Sequence, residues 1–143
     1  RFEDTAYNLE PNVKESPGGL RDVQMVLWLA RAINGVSTLD AMVSQGYLNR
    51  RECDALTNAY AQVKFLRARL HTLARRREDR LVFELQNNMA QSLNVAASGG
   101  LRASEVLMKS YYQSARELRL FNDILIDALT SKSSIFAATT ICL

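Results

Sequence analysis

Apolar residues recur at steps of three and four over most of the chain from residue 20 onward, which is the spacing of one helix face. The first stripe consists of Leu20, Val23, Leu27 and Ala30. Gly35, after an asparagine, supplies a stop for this helix. Ser37 followed by Asp40 resembles a capping box and predicts a short second helix that ends at Gly46.

Two longer segments carry the same spacing. The first begins at Asn49, where Glu52 three residues later marks a helix start, and its apolar residues continue to Leu73. The last helix is predicted to be capped by Ser104 and to extend to Ala128. The apolar positions of this last helix are Leu107, Tyr111, Leu118, Phe121 and Leu125.

A shorter helix is predicted between the two long ones. Asp79 can cap it, because carboxylates accept hydrogen bonds from the free N–H groups of a first turn. In this interpretation Arg80 pairs with Glu84 four residues later, which contributes only a few tenths of a kcal/mol. The apolar positions of this helix are Leu81, Val82, Leu85, Met89 and Leu93.

The predicted fold is all-α, since no segment alternates long enough to indicate a confident strand. We expect a helical bundle in which two long, near-antiparallel helices pack together, with shorter helices crossing them, after an extended N-terminal segment. We divide the chain into an extended segment with a glycine turn at 1–19, a helical domain at 20–129, and a tail at 130–143 without an assigned role. The tail is partly β-branched and could be extended.

Composition excludes several classes of protein. The 143 residues include one histidine and two distant cysteines, too few ligands for a zinc site or a multi-histidine hydrolase centre built from this chain. The longest apolar run, Met25–Ala30, is far shorter than the ~20 residues of a membrane span. The first residues have no apolar stretch behind a basic start, so we expect no secretory signal. We therefore expect a cytoplasmic protein that does not enter a membrane.

Positive charge is concentrated rather than spread. Residues 64–80 contain seven basic and two acidic side chains, a local charge of +5 against +3 for the whole chain. An anionic partner would explain this segment, since arginine makes bidentate contacts with carboxylates and phosphates. A solvated helix end is the favoured explanation, because cations offset the helix dipole there. Nucleic acid is disfavoured, because no aromatic residues alternate with the basic ones.

Residues 9–22, with the sequence LEPNVKESPGGLRD, hold the most informative motif. Two glycines after a proline allow a tight turn, and their N–H groups at a helix start can hold an anion. Cations bracket the turn and carboxylates could orient them. The residues concerned are Lys14, Glu15, Gly18, Gly19, Arg21 and Asp22. From the residues alone, a plain loop that caps a helix is an equally good interpretation.

This stretch resembles the helical region of bacterial PII-protein uridylyltransferase/uridylyl-removing enzymes, which carry EPN-[LV]-KE-x-PGGLRD-[LIV]-Q after their nucleotidyltransferase domain. Residues 9–24 match it almost throughout, apart from Ser16, where the family usually has glycine. Residues 78–86 resemble the family's EDRL-x-F-[DE]-x-Q stretch, and weaker matches fall at 37–40, 67–73 and 106–122. The resemblance covers roughly residues 7–129. A related stretch occurs in glutamine-synthetase adenylyltransferases, which is the alternative family.

The resemblance implies a role in nitrogen regulation. Enzymes of the family transfer UMP from UTP to a tyrosine of the PII signal protein, with magnesium, and remove it in a separate His-Asp hydrolase domain. Neither the paired Asp of transfer nor the His-Asp pairs are present here. The chain is therefore expected to be an excised domain, inactive alone, without catalytic residues, metal ligands or cofactor of its own. It would pack on the transferase domain and line its UTP cleft.

Two groups of residues are assigned on that basis. The nucleotide- or cleft-facing group is Lys14, Glu15, Gly18, Gly19, Arg21 and Asp22, and the second functional or domain-contact patch is Glu78, Asp79 and Arg80. His71 is expected to be packed or hydrogen-bonded rather than catalytic, because no acidic partner is evident near it in the sequence. Tyr111 and Tyr112 are expected in the core and towards a partner. A non-catalytic helical interaction module is the remaining alternative.

Overall fold

The computed structural model describes residues 9–36 and 38–142, with side chains as far as residue 131. Five helices form this part of the chain: α1 (Leu20–Asn34), α2 (Leu39–Ser44), α3 (Arg50–Ala74), α4 (Phe83–Ser92) and α5 (Ala103–Cys142). The described residues contain two isolated β-bridges and no strand. The all-α prediction is confirmed. None of the helices, over their described residues, is long and apolar enough to cross a membrane.

Helices α3 and α5 form the centre of the bundle, and α1 and α4 pack on α5. The two long helices run in opposite directions. Near one end Leu56 lies beside Leu118 and Leu125, whereas further along α3 the side chain of Gln62 accepts a hydrogen bond from the hydroxyl of Ser114. The largest fully buried side chains of the core are Tyr111, Met42, Leu70, Leu81, Met89, Leu118, Leu125 and Leu129.

Several predicted helix ends are observed. The Asn49 side chain accepts the N–H of Glu52, and the Glu52 side chain accepts the N–H of Asn49, so the capping box of α3 is complete. Gly35 ends α1 in the left-handed conformation (φ 67°). Helix α2 is capped by Thr38, whose hydroxyl accepts the N–H of Ala41. The predicted cap of α2, Ser37, lies outside the described residues.

The start of α5 differs from the prediction. The helix begins at Ala103, so Ser104 lies inside its first turn and does not cap it. The side chain of Glu105 instead accepts the N–H of Arg102, the residue before the helix, at 2.9 Å, which is the half of a capping box that the third helical residue supplies.

The end of α5 differs as well. The helix has 40 residues and continues to Cys142, across the predicted boundary at residue 129. At 1.5 Å per residue it is about 60 Å long. The described backbone of the tail is helical and not extended. The preference of β-branched residues for extended structure is weak, and adding residues to an existing helix outweighs it.

Candidate functional site

The two stretches that carry the strongest family resemblance, residues 9–24 and 78–86, lie side by side in the structure. Asn12 and Arg80 form an isolated antiparallel bridge. The N–H of Val13 donates to the carbonyl of Asp79, and the N–H of Leu81 donates to the carbonyl of Pro11, both at 2.8 Å. We call this pairing of residues 9–14 with residues 79–83 the motif junction.

Side chains extend the motif junction to helix α4. The carboxylate of Glu10 accepts the N–H of Phe83 at 2.9 Å, so a residue far away in the chain caps this helix. The buried carboxamide of Gln86 donates to the carbonyls of Leu9 (2.8 Å) and Leu81 (2.9 Å). Because a buried carboxamide without partners is costly, Gln86 holds both segments of the motif junction at once.

Asn12 organises the turn that follows the bridge. Its side-chain oxygen accepts the N–H groups of Lys14 (3.0 Å) and Glu15 (2.9 Å), while its own N–H donates to the hydroxyl of Ser16. This is the local side chain to backbone pattern for which asparagine is favoured in turns. The turn brings the glycine pair to the start of α1.

The glycine N–H groups are used inside the turn. That of Gly18 donates to the carboxylate of Asp22 at 2.8 Å, and that of Gly19 donates to the carbonyl of Ser16 at 2.7 Å. The expectation that these two amides are available to hold an anion is therefore not met. Asp22 acts as an acceptor for the turn and not as an orienting partner for a cation.

Close packing explains why glycines stand here. Gly18 has φ +79°, and a Cβ atom built on it would lie 2.1 Å from the carbonyl oxygen of Ala115 in α5. A Cβ on Gly19 would lie 2.7 Å from the carbonyl oxygen of Lys14. Gly18 thus lets the turn pack with its backbone directly on the backbone of α5, and Gly19 lets the turn fold closely on its own backbone.

The charged side chains of the turn remain on the surface. Arg21 pairs with Glu15 at 3.2 Å, and both side chains are about half exposed (51% and 55%). Such a pair contributes little stability, so Arg21 can exchange this partner for a ligand at small cost. Lys14 is partly exposed and makes no ion pair with any described residue. Both predicted cations are accessible.

Asp79 is the centre of a charged cluster between the motif junction and α3. Its carboxylate accepts hydrogen bonds from Nε of Arg67 at 2.6 Å and from Nε2 of His71 at 2.9 Å, and only 18% of its side chain is exposed. Burial acts to raise the pKa of Asp79, but the hydrogen bonds and charges of Arg67 and His71 outweigh it and lower the pKa. The cluster ties α3 to residue 79, whose carbonyl accepts the N–H of Val13.

Two expectations about this region are corrected. Asp79 does not cap a helix, since α4 begins four residues later at Phe83 with no cap from its own flank. His71 does have an acidic partner, which sequence distance concealed because the chain turns back between residues 75 and 79. The expected hydrogen bonding of His71 is confirmed. In the part of the chain that the structure describes, Arg80 and Glu84 do not form the expected ion pair.

Glu78 has a separate set of partners. One carboxylate oxygen pairs with Arg76 at 2.8 Å, and the other accepts the N–H of Arg80 at 3.0 Å. The hydrogen bond from Arg76, followed by that from Arg80, lowers the pKa of Glu78. In the predicted second patch, both carboxylates are thus paired with other side chains of this chain. The Arg80 side chain of the same turn is exposed.

A groove of about 800 Å³ lies beside the motif junction, and sequence reasoning missed it. Its walls come from both segments of the motif junction, through Leu9 and Phe83, and from α5, through Lys109, Tyr112 and Arg116. Only the spacing of Lys109 and Arg116 on one face of a helix could have indicated this surface. Among the described residues, no group of three His, Cys, Asp or Glu side chains could hold a metal ion.

Comparison with known proteins gives a consistent result. The chain matches the model of the GlnD PII-uridylyltransferase family over residues 1–126. It is 45% identical over 145 residues to a bifunctional uridylyltransferase/uridylyl-removing enzyme of Nitrosospira multiformis, covering 99% of this chain. It is 44% identical over 140 residues to proteins of the same name from Burkholderia mallei and Burkholderia pseudomallei. The chain spans 16% of the length of each relative. No solved structure matches it.

Proposed function

This chain belongs to the GlnD PII-uridylyltransferase family, and we propose that it acts as the helical part of a bifunctional uridylyltransferase/uridylyl-removing enzyme of nitrogen regulation. In this role it packs on the nucleotidyltransferase domain and lines the UTP cleft of that domain. The reaction transfers UMP from UTP to the PII signal protein in the cytoplasm. The removal reaction belongs to a separate hydrolase domain.

The motif junction is the observation that carries this proposal. The two stretches that resemble the family most specifically, residues 9–24 and 78–86, are distant in sequence and meet in one antiparallel bridge. Glu10 and Gln86 hold the two motifs together, so the motifs form one continuous surface. A second domain can bind both motifs at that surface at the same time. The accessible cations beside it, Lys14 and Arg21, are the groups that suit a triphosphate.

The described residues fit UTP better than they fit magnesium. The charged head groups of Lys14 and Arg21 can meet phosphate oxygens, whereas the glycine amides already have acceptors. Most nearby carboxylates have cationic or amide partners: Asp79 binds Arg67 and His71, Asp22 binds Gly18 and Glu78 binds Arg76. We therefore assign no magnesium ligand to this chain, and its own contribution to transfer is to bind and orient phosphate oxygens.

Steady-state kinetics of the intact enzyme test the proposal. Lys14→Ala and Arg21→Ala should each lower kcat/KM for UTP in uridylylation of PII about tenfold or more, since a hydrogen bond to a charged group is worth about 1.5–3 kcal/mol. The matched control is Arg119→Ala, which removes an exposed arginine of α5 without an ion pair to a described residue. Unchanged uridylylation in both variants would show that the turn does not face the cleft.

A second experiment uses the 143-residue chain itself. Incubated with UTP, magnesium and PII, it should give no uridylylated product, because it contributes positioning and no reacting group. Any turnover by this chain would contradict the assignment of the chemistry to another domain.

A further inference from the structure

The turn between α3 and α4 carries an uncompensated group of arginines. Three of them, Arg75, Arg77 and Arg80, are exposed and make no ion pair with any described residue. The two acidic residues of the turn cannot neutralise them, because Asp79 is bound to Arg67 and His71 and Glu78 is bound to Arg76. Five cations of residues 64–80 therefore have no carboxylate partner among the described residues. Lys64 lies over the ring of Tyr60 and Arg69 donates to the carbonyl of Ser92, whereas Arg75, Arg77 and Arg80 stand together on the turn.

The turn that carries them is fixed at both ends. Arg75, the residue that follows α3, has the left-handed conformation (φ 55°), so the helical backbone stops at this residue. At the other end Arg80 forms the bridge with Asn12, and its N–H donates to Glu78. A backbone that is already ordered loses less entropy when its side chains bind a partner.

We propose that Arg75, Arg77 and Arg80 form a docking surface for an acidic protein segment rich in aspartate and glutamate. Planar guanidinium groups match carboxylates in a bidentate way. None of the three arginines lines the groove beside the motif junction, and small ligands bind in concave sites. Residues 75–80 include no aromatic side chain on which a nucleobase could stack. An extended polyanion of carboxylates fits these observations best.

This docking surface shares Arg80 with the motif junction, but Arg75 and Arg77 lie outside the junction. Its test measures binding and not transfer, so failure of the docking surface and failure of the role in the UTP cleft are distinguishable. The probe is poly-L-glutamate, added to the 143-residue chain at low ionic strength, with fluorescence anisotropy or calorimetry as the readout. Polyuridylate of equal charge and inorganic tripolyphosphate are the competing probes.

The triple variant Arg75→Ala/Arg77→Ala/Arg80→Ala should bind poly-L-glutamate about tenfold more weakly, since each exposed ion pair contributes roughly two- to threefold. The control Arg31→Ala/Arg51→Ala/Arg119→Ala removes three exposed arginines from other helices and should retain most of the affinity. Both variants lower the formal net charge from +3 by three, to zero, so a difference between them reports position and not total charge.

Equal loss in the two triple variants, or no loss in either, would overturn the docking surface. Tighter binding of polyuridylate or tripolyphosphate than of poly-L-glutamate by the unmodified chain would also overturn it, and this measurement needs no variant. If the first triple variant does not fold, Arg77→Glu provides the test with a single change outside the helices, and it should weaken binding of poly-L-glutamate about fivefold by adding a repulsive charge.

Discussion

Replacement of Gly18 by alanine tests whether the turn before α1 depends on backbone contact with α5. The Cβ atom would lie 2.1 Å from the carbonyl oxygen of Ala115, whereas real Cβ atoms essentially never approach closer than 3.0 Å. The turn and α5 must therefore separate by about 0.9 Å, the difference between these two distances, and a gap of that size forfeits a quarter to a half of each affected packing contact.

Two costs combine in this substitution. The left-handed φ of +79° costs a residue with a side chain about 1 kcal/mol, and forced separation of packed elements costs about 1–3 kcal/mol. We expect Gly18→Ala to lower the free energy of unfolding by about 2–4 kcal/mol, measured by urea unfolding followed by circular dichroism. For a chain of this size the melting temperature should fall by about 8–16 °C.

Gly100→Ala is the matched control. Gly100 has the same φ of +79°, but nothing lies within 4 Å of the position that a Cβ atom would take there, so only the conformational cost of about 1 kcal/mol applies. The difference between the two variants isolates the close approach to Ala115. If Gly18→Ala destabilised the protein no more than Gly100→Ala, the packing argument for the glycine turn would be refuted.

Two further substitutions test the contacts that hold the motif junction. Asp79→Asn should destabilise the protein by about 2 kcal/mol at neutral pH, because charged hydrogen bonds to Arg67 and His71 are lost. The folded protein lowers the pKa of this carboxyl, so its contribution is present above the unfolded pKa of about 4 and disappears as the pH falls further; a gap between wild type and variant that persisted at about pH 2 would contradict the assignment. Glu10→Ala should cost about 1 kcal/mol, because the N–H of Phe83 loses its cap, and Glu10→Gln, which keeps an acceptor oxygen, should recover most of this loss in the same unfolding assay.

Local sequence signals predicted the helices well. The capping box of Asn49 and Glu52 and the glycine after α1 act within one helical turn, so their spacing in the sequence is enough to recognise them. Helix α4 shows where this approach ends. Its cap is Glu10, which no local pattern could reveal, and the prediction therefore assigned the cap to Asp79, the nearest suitable residue.

The candidate site shows the same division. Resemblance identified the two motifs, but it could not tell that they meet, because that contact depends on tertiary structure. The glycine turn was interpreted as a nest for an anion, since the sequence gives no information on what already satisfies the amides of Gly18 and Gly19. The acidic partner of His71 was missed for a similar reason: eight positions separate His71 from Asp79, and the turn after α3 brings them together.

The antiparallel bridge between Asn12 and Arg80 has a consequence for hydrogen exchange. The N–H groups of Val13 and Leu81 donate to backbone carbonyls on the opposite segment, so neither can be released without separating the same two pieces of chain. Their protons should therefore show one common protection factor, set by the free energy of a single cooperative opening. The two family motifs then form one unit of local unfolding, which opens and closes as a whole although the motifs lie far apart in the sequence.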